Sequence, residues 1–389
     1  MNILKILIVL FVFHLQLCGE DKKEDAVDKT LDPFYFHRNW QDIQGKRKPQ
    51  FRLRKGNVPE QIWRINTNGI VSVTPFVIDS HLLIGTLNGF VNYVNLKTGA
   101  VDPKSFSAGN ILTWMSTRND NSIIAMTLVG NVVNFFKGWE SAGKTAYGAN
   151  KNDQSSPIGA ISWGAGCVVA RRDNFPIMLE LKDCKVVSEY KTKLWVYGQA
   201  TAPLMCNDSA FWLATSKGDL ISFNLTLSVI NSTIKLQKSF ATALAFEGNI
   251  IYVLTADKEL LAYDSSTNIL KWKTTLEGKG IDSIVCEKGK LYVNAGSFYV
   301  VNCEDGKILL EQKTRAFEKF MRTKPVITNK RIYSCDSEGN IYIINKNDYK
   351  VLQVINLEED VMVGFLYQDD VLYIPTIAGF LYAIDVSAY

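Results

Sequence analysis

The segment Gly138-Trp-Glu-Ser-Ala-Gly-Lys-Thr145 is the part of the chain whose residue types most openly suggest chemistry. It matches, letter for letter, the glycine-rich loop that cradles phosphate groups in nucleotide-binding proteins. Such a loop works only between a strand and a helix, because the helix dipole and the first amides must meet the phosphates. A strand pattern precedes the segment, but the residues after it have the composition of a loop. We therefore predict that Gly138–Thr145 binds no phosphate.

Other catalytic and metal-binding residue types are sparse. Beyond the first 19 residues the chain has two histidines, His37 and His81, and neither belongs to a pair with the spacing of metal ligands. No Gly-x-Ser-x-Gly elbow and no EF-hand loop occurs. The sequence therefore predicts no catalytic residue, no metal ligand and no cofactor.

The cysteines could form disulfides instead. Six lie beyond residue 19, at positions 167, 184, 206, 286, 303 and 335. Cys167 would begin one strand and Cys184 would end its antiparallel neighbour, an arrangement that can satisfy disulfide geometry. The candidate disulfide is thus Cys167–Cys184, and the alternative is two small apolar residues. Cys286 and Cys303 have the same spacing but would lie on non-adjacent strands, so no disulfide is predicted between them.

The N-terminal residues indicate the compartment. Residues 1–19 combine one lysine, an apolar run of about a dozen residues and a small residue near the end, as secretory signal peptides do. We expect a protein of the secretory pathway, either secreted or retained in the lumen of the endoplasmic reticulum. Candidate glycosylation sites are the three Asn-x-Ser/Thr sequons, Asn207, Asn224 and Asn231, which fall in one short stretch.

A polar arm is predicted over residues 20–59. Within it, residues 38–55 carry seven Lys or Arg side chains, with aromatic residues interleaved and Asp42 as the one acid. Such a segment can dock on an acidic partner, an anionic glycan or a membrane surface. We favour the simpler interpretation, a strap on the domain whose charges are solvated.

Repeats dominate residues 60–389. The 47% hydrophobic and 21% charged content of the whole chain is typical of globular proteins, and a net charge of +4 does not suggest nucleic-acid binding. A short strand pattern recurs about every 41 residues. The eight segments are 82–86, 123–127, 167–171, 211–215, 251–255, 291–295, 332–336 and 372–376.

Turn residues follow these segments at a fixed distance. In four of the segments the last residue is Thr, with Gly three positions later, and Asp336 is followed by Gly in the same way. A second apolar run then begins, so each unit contains a hairpin whose turn lies near the glycine. The residues assigned to the repeat structure are Gly89, Gly130, Gly218, Asp264, Trp272, Gly339 and Gly379.

Four strands per unit predict the fold class. The chain is expected to be all-β, an eight-bladed β-propeller of four-stranded blades. The last unit ends at its third strand, and residues 61–65 before the first unit can supply the missing fourth strand. This strand would close the ring and remove an exposed edge. In the repeat register, Gly138–Thr145 falls between the second and third units.

The unit Ala262-Tyr-Asp264-Ser-Ser-Thr267-Asn268-Ile-Leu-Lys-Trp272 carries a family resemblance. It resembles the Ala-x-Asp-x-x-Thr-Gly-x-x-x-Trp repeat of quinoprotein-like (pyrroloquinoline-quinone repeat) β-propellers, with Asn268 in place of Gly. Partial copies begin at Tyr93 and Val300. The short connections are similar to those of the BamB-like, non-catalytic scaffold type. Quinone enzymes of the resembled family have an adjacent-cysteine disulfide, and this chain has no Cys-Cys pair.

The sequence thus favours a non-catalytic, secreted or lumenal propeller. It would bind protein or peptide partners through its funnel or its loop faces, and would be a monomeric ring. Two other classes stay open: a pyrroloquinoline-quinone-dependent oxidoreductase, and a lumenal sensor or chaperone-like module that binds unfolded polypeptide. Fold alone does not decide among them.

Overall fold

Every regular element in the described part of the chain is a β-strand. The chain divides into two units, Met1–Gln50 and Phe51–Tyr389, and all described residues lie in the second. The computed structural model describes residues 52–53, 60–102, 106–108, 112–117, 123–127, 131–135, 141–146, 157–163, 166–171, 177–182, 185–191, 201–202, 205–236, 239–278, 283–312, 323–336, 338–361 and 363–389. The predicted signal peptide, His37 and nearly all of the predicted arm fall outside these ranges.

The described strands form eight antiparallel sheets, numbered here in chain order. Before the first sheet lie β1 (Arg52–Leu53) and β2 (Gln61–Asn66). Sheet 1 is β3 (Phe76–Ile78), β4 (His81–Gly85), β5 (Phe90–Asn95) and β6 (Phe106–Ser107). Sheet 2 is β7 (Leu112–Thr117), β8 (Ile123–Thr127), β9 (Asn131–Phe135) and β10 (Ser141–Ala146). Sheet 3 is β11 (Pro157–Trp163), β12 (Gly166–Arg171), β13 (Ile177–Lys182) and β14 (Lys185–Lys191). Sheet 4 is β15 (Met205–Cys206), β16 (Phe211–Ala214), β17 (Asp219–Phe223) and β18 (Ile230–Lys235).

The remaining sheets repeat the same order of neighbours. Sheet 5 is β19 (Ala241–Glu247), β20 (Ile250–Thr255), β21 (Glu259–Asp264) and β22 (Leu270–Thr275). Sheet 6 is β23 (Ser283–Glu287), β24 (Lys290–Ala295), β25 (Ser297–Asn302) and β26 (Ile308–Gln312). Sheet 7 is β27 (Val326–Ile327), β28 (Arg331–Cys335), β29 (Asn340–Asn345) and β30 (Val351–Asn356), with β1 added. Sheet 8 is β31 (Leu366–Gln368), β32 (Val371–Pro375) and β33 (Phe380–Asp385), with β2 added.

The eight apolar segments found in the sequence overlap the second strands of these sheets. Second and third strands such as β20 and β21 are buried along nearly their whole length. Apolar clusters on the two faces of sheet 5 contain residues of sheet 4 and of sheet 6, so these strands are continuous apolar runs rather than alternating ones. A fourth strand such as β22 is instead half-exposed. The all-β prediction is confirmed.

The turn between second and third strands explains the recurring Thr and Gly. The hydroxyl oxygen of Thr86 accepts the backbone N–H of Phe90, four residues later, at 3.1 Å. Thr215, Thr255 and Thr376 make the equivalent bond, and Asp336 does the same with a carboxylate oxygen. The residue before the accepted N–H has a positive φ, and it is Gly89, Gly218, Gly339 or Gly379 in four of these turns. Gly130 lies outside the described residues.

The turn between the third and fourth strands is closed by a different set of hydrogen bonds. Asp264 Oδ1 accepts hydrogen bonds from the backbone N–H groups of Ser266 and Thr267, which closes an Asx turn. Asn268 then has a φ of 61°, the left-handed geometry for which the repeat usually has glycine. Gly306 occupies the same place in sheet 6, with a φ of 71°.

The hydroxyl and backbone N–H of Ser266 lower the pKa of Asp264 to about 2. Because the folded pKa is depressed, these bonds stabilise the turn above the ordinary pKa of about 3.9 and are lost as the pH falls through about 2. An NMR titration of the Asp264 side-chain carbonyl should show a midpoint near 2. Ser266→Ala should raise this midpoint, and an ordinary midpoint in the unmodified chain would contradict the turn geometry.

The N-terminal strand β2 completes sheet 8, as the sequence predicted. It pairs antiparallel with β33, with Trp63 opposite Ala383 and Asn66 opposite Phe380. Trp63 is buried, and its indole N–H donates to the backbone oxygen of Leu96, the residue after β5 of sheet 1, at 3.0 Å. One apolar cluster contains residues of β2, sheet 8 and sheet 1. Residues distant in sequence thus share one core.

Strand β1 adds a fifth strand to sheet 7, which the sequence did not predict. It pairs antiparallel with β30, with Arg52 opposite Asn356 and Leu53 opposite Ile355. These two residues belong to the segment that we assigned to the arm. The edge of a fourth strand can therefore accept a further strand through its backbone.

The structure corrects the placement of the phosphate-loop pattern. Gly143, Lys144 and Thr145 lie in β10, the fourth strand of sheet 2, where Lys144 is opposite Val133 of β9. They do not lie between repeat units, as the register had suggested. An extended, paired strand aims its amides at its neighbour and cannot cradle a phosphate.

Candidate functional site

The joint between sheets 5 and 6 is held by a tryptophan. Trp272 of β22 donates its indole N–H to the backbone oxygen of Cys303 at 2.9 Å. A Cβ atom on Gly306 would lie 2.5 Å from the Trp272 ring, so only glycine leaves room for it. Trp63 and Gly99 repeat this contact between sheets 8 and 1. The fourth-strand tryptophan therefore docks on the turn of the next sheet.

Beside this joint, two thiols and one carboxylate meet. Glu247 ends β19, Cys286 lies in β23, and Cys303 directly follows β25. The two sulfur atoms are 3.5 Å apart, and one donor atom from each of the three residues lies within 4.8 Å of the others. Cys303 is buried, whereas Glu247 and Cys286 are half-buried. Both thiols are free.

The backbone of Gly289 positions two of the three donors. Its N–H donates to Glu247 Oε1 at 2.8 Å, and its carbonyl accepts the N–H of Cys303 at 3.0 Å. The Tyr252 hydroxyl is hydrogen-bonded to Cys303. Hydrogen bonding to Cys303, burial and the nearby acidic groups raise the pKa of the Cys286 thiol. Donors from sheet 5 and sheet 6 thus meet across their joint.

The sequence did not indicate this proximity, because Cys286 and Cys303 were expected to lie on non-adjacent strands. The structure places β24 between β23, which contains Cys286, and β25, which ends one residue before Cys303. Cys303, however, lies beyond the end of β25 and is bonded to the turn between β23 and β24. The spacing of cysteines along the chain does not reveal that a residue after one strand contacts the turn of a neighbouring hairpin. The candidate partner Cys184 lies outside the described residues, so the Cys167–Cys184 disulfide stays a prediction.

Exposed apolar side chains recur at one position after the turn that follows the third strand. The position is two residues after the positive-φ residue of the preceding turn, and its occupants are Val101, Val229, Leu270, Ile308 and Val351. Sheets 5, 6 and 7 each add a second exposed apolar residue next to it, namely Ile269, Leu309 and Leu352. We call these six residues of sheets 5–7 the apolar rim; each is between 37% and 63% exposed.

The three sequons lie together in sheet 4. Asn231 is exposed on β18. The side-chain oxygens of Asn207 and Asn224 accept backbone N–H groups of their own turns, and both residues are half-buried.

His81 begins β4, beside Ser80 and Tyr93. Within the described ranges no helix is long and apolar enough to span a membrane.

The comparisons with known proteins agree with this architecture. A family model described as "Outer membrane protein assembly factor BamB" matches residues 211–359. Among solved structures, BamB from Moraxella catarrhalis aligns with a TM-score of 0.67 and 14% identity, over 85% of this chain and 99% of that one. The chain has the quinoprotein-like β-propeller fold. The resemblance found in the repeat is thereby confirmed.

A second solved structure that the chain resembles is a designed protein. The computationally designed Ika8 protein aligns with a TM-score of 0.70 and 13% identity, over 82% of this chain and 96% of the design. No curated protein matches the chain significantly. At such low identities the likeness concerns the BamB-like propeller fold and does not transfer an activity.

Proposed function

We propose that the protein is a non-catalytic, secreted or lumenal scaffold that binds proteins or peptides. In this proposal the eight sheets form an eight-bladed, monomeric ring, which β2 closes. Shared apolar clusters join sheet 8 to sheet 1, and sheets 4 to 8 to one another, which supports the ring. A rigid repeat scaffold of this kind presents loops and rims to partners.

The apolar rim is the observation that carries the proposal. Monomeric soluble proteins rarely expose large contiguous apolar patches without a use for them. The rim follows the third-to-fourth turns of three consecutive sheets, so it belongs to a loop face of the propeller. β22 and β26 are edge strands of their sheets, and in sheet 7 the pairing of β1 with β30 shows that a fourth strand can pair with an extended segment. A partner would add a strand there and cover the rim with apolar side chains.

Glycosylation would restrict the free surface further. We infer that Asn231 carries a glycan, because it is exposed while the other two sequon side chains close turns. The sugar would then cover the fourth strand of sheet 4. The apolar rim of sheets 5–7 would remain accessible to partners.

The test is affinity capture with crosslinking from the native secretory compartment. It compares the unmodified chain with the triple variant Leu270→Asp, Leu309→Asp, Leu352→Asp. A matched control is Ile62→Asp, Val101→Asp, Val229→Asp, which changes exposed apolar residues of other sheets, in β2 or before β6 and β18. Thermal melting of all three chains establishes that each is folded.

We expect a stoichiometric partner that the unmodified chain and the control retain and the rim variant loses. Equal loss from both variants would contradict a role of the rim. No reproducible partner, together with quinone- and calcium-dependent turnover, would overturn the scaffold proposal in favour of an oxidoreductase.

A further inference from the structure

We propose that Glu247, Cys286 and Cys303 form a zinc site that braces sheet 5 against sheet 6. The donor set has the right chemistry, because zinc in proteins is bound by thiolate sulfur, imidazole nitrogen and carboxylate oxygen. The sequence had indicated no metal ligands, because neither His37 nor His81 belongs to a pair with ligand spacing. Only the fold brings their donor atoms within 4.8 Å of one another.

The separation of the sulfur atoms fits the metal. Two zinc–sulfur bonds of about 2.3 Å at a tetrahedral angle place the sulfur atoms about 3.8 Å apart. The observed distance between the Cys286 and Cys303 sulfur atoms is 3.5 Å. A disulfide would need them at about 2.05 Å. Zinc binding therefore requires the two sulfur atoms to move slightly apart. Disulfide formation would require them to move together by a larger distance.

The surroundings of the donors also suit a metal. Ligating carboxylates are usually held by a hydrogen bond, and Gly289 N–H supplies one to Glu247 Oε1. The same glycine fixes the backbone of Cys303, which Trp272 also contacts. Because Glu247 and Cys286 are half-buried, water can reach the fourth coordination position.

Binding is balanced in charge and atoms. One Zn²⁺ displaces the protons of two thiols, which pass to the buffer, and two zinc–sulfur bonds form without any oxidation. With the glutamate carboxylate the site carries one negative charge. Since its ligands come from sheet 5 and sheet 6, the metal links two elements that otherwise meet only through packing and hydrogen bonds.

The first test uses the full, unmodified chain. Isolated anaerobically from its native cells without chelators, it should contain about one zinc per chain. Added Co²⁺ should give the charge-transfer absorption of thiolate ligands. Zinc should protect Cys286 and Cys303, but not Cys206, from alkylation as read by peptide mass spectrometry.

Variants then assign the ligands. Cys286→Ser and Cys303→Ser should each lose stoichiometric zinc, Glu247→Gln should weaken binding, and Cys206→Ser should leave it unchanged. A zinc-free chain whose Cys286 and Cys303 peptides are linked by a disulfide would overturn the proposal. So would free thiols that neither take up zinc nor give the cobalt absorption. The scaffold proposal is untouched by either result, because the rim lies outside the donor set.

Discussion

Deleting residues 60–66 is expected to remove most of the stability of the propeller. The deletion takes away β2, leaves the edge of β33 unpaired and empties the space filled by Trp63. Loss of one buried tryptophan side chain alone costs about 3–5 kcal/mol. Since domains have a total of about 5–15 kcal/mol, the shortened chain should unfold at a much lower temperature or fail to fold.

An ion pair adds to the expected loss. Arg64 of β2 lies 3.3 Å from Glu359, whose carboxylate also accepts hydrogen bonds from Tyr382 and Thr376. The guanidinium group lies over the Phe380 ring at 3.5 Å. Without β2, the nearly buried Glu359 would keep its charge but lose its cation, which is costly.

Single substitutions on β2 provide the control. Trp63→Ala should lower the free energy of unfolding by about 3–5 kcal/mol. Ile62→Ala, at the neighbouring and 46% exposed position, should change it by no more than about 0.5 kcal/mol. Chemical denaturation of the three chains measures both values. A deletion variant that melts like the full chain would show that β2 is dispensable.

Gly339→Ala is expected to lower the free energy of unfolding more than an alanine at any other described glycine. A Cβ atom at this position would lie 2.0 Å from the backbone oxygen of Glu359. Backbone cannot rotate away as a side chain can, so the turn between β28 and β29 or the segment after β30 must move. The positive φ of 71° adds strain of about 1–2 kcal/mol.

A second glycine separates the clash from the strain. Gly248 also has a positive φ, 56°, but a Cβ atom there would meet nothing within 4 Å. Gly248→Ala should therefore cost about 1–2 kcal/mol, the strain alone. Gly339→Ala should cost about 1–3 kcal/mol more, as overpacking does. Equal losses in the two variants would show that the turn of sheet 7 is not tightly packed against Glu359.

The repeat made much of the fold predictable. Apolar second strands, the Thr-to-Gly turns and the need of the last unit for a fourth strand all follow from local chemistry repeated at a fixed interval. Asn268 could be assigned to a left-handed turn because glycine stands there in related units. These features depend on residues that are close together in the chain, so they can be identified from the sequence alone.

The candidate sites were less predictable, because they depend on residues far apart in sequence. The zinc donors come from the end of one strand, the middle of another and a residue beyond a third. β1 forms only two residue pairs, too few to leave an alternating pattern. The apolar rim does have a sequence signal: each pair stands just after a turn residue of left-handed geometry. That signal became interpretable only once exposure was known.

The central claim is that partners bind the apolar rim, and amide hydrogen exchange of the full chain with and without its captured partner tests it most directly. The account predicts slower exchange in β22 and β26, where an added strand would engage the edge backbone groups, and in the part of β30 before Ile355, which β1 does not pair with. Exchange in β18 should be unchanged. Protection confined to other strands, or none in a stoichiometric complex, would contradict it.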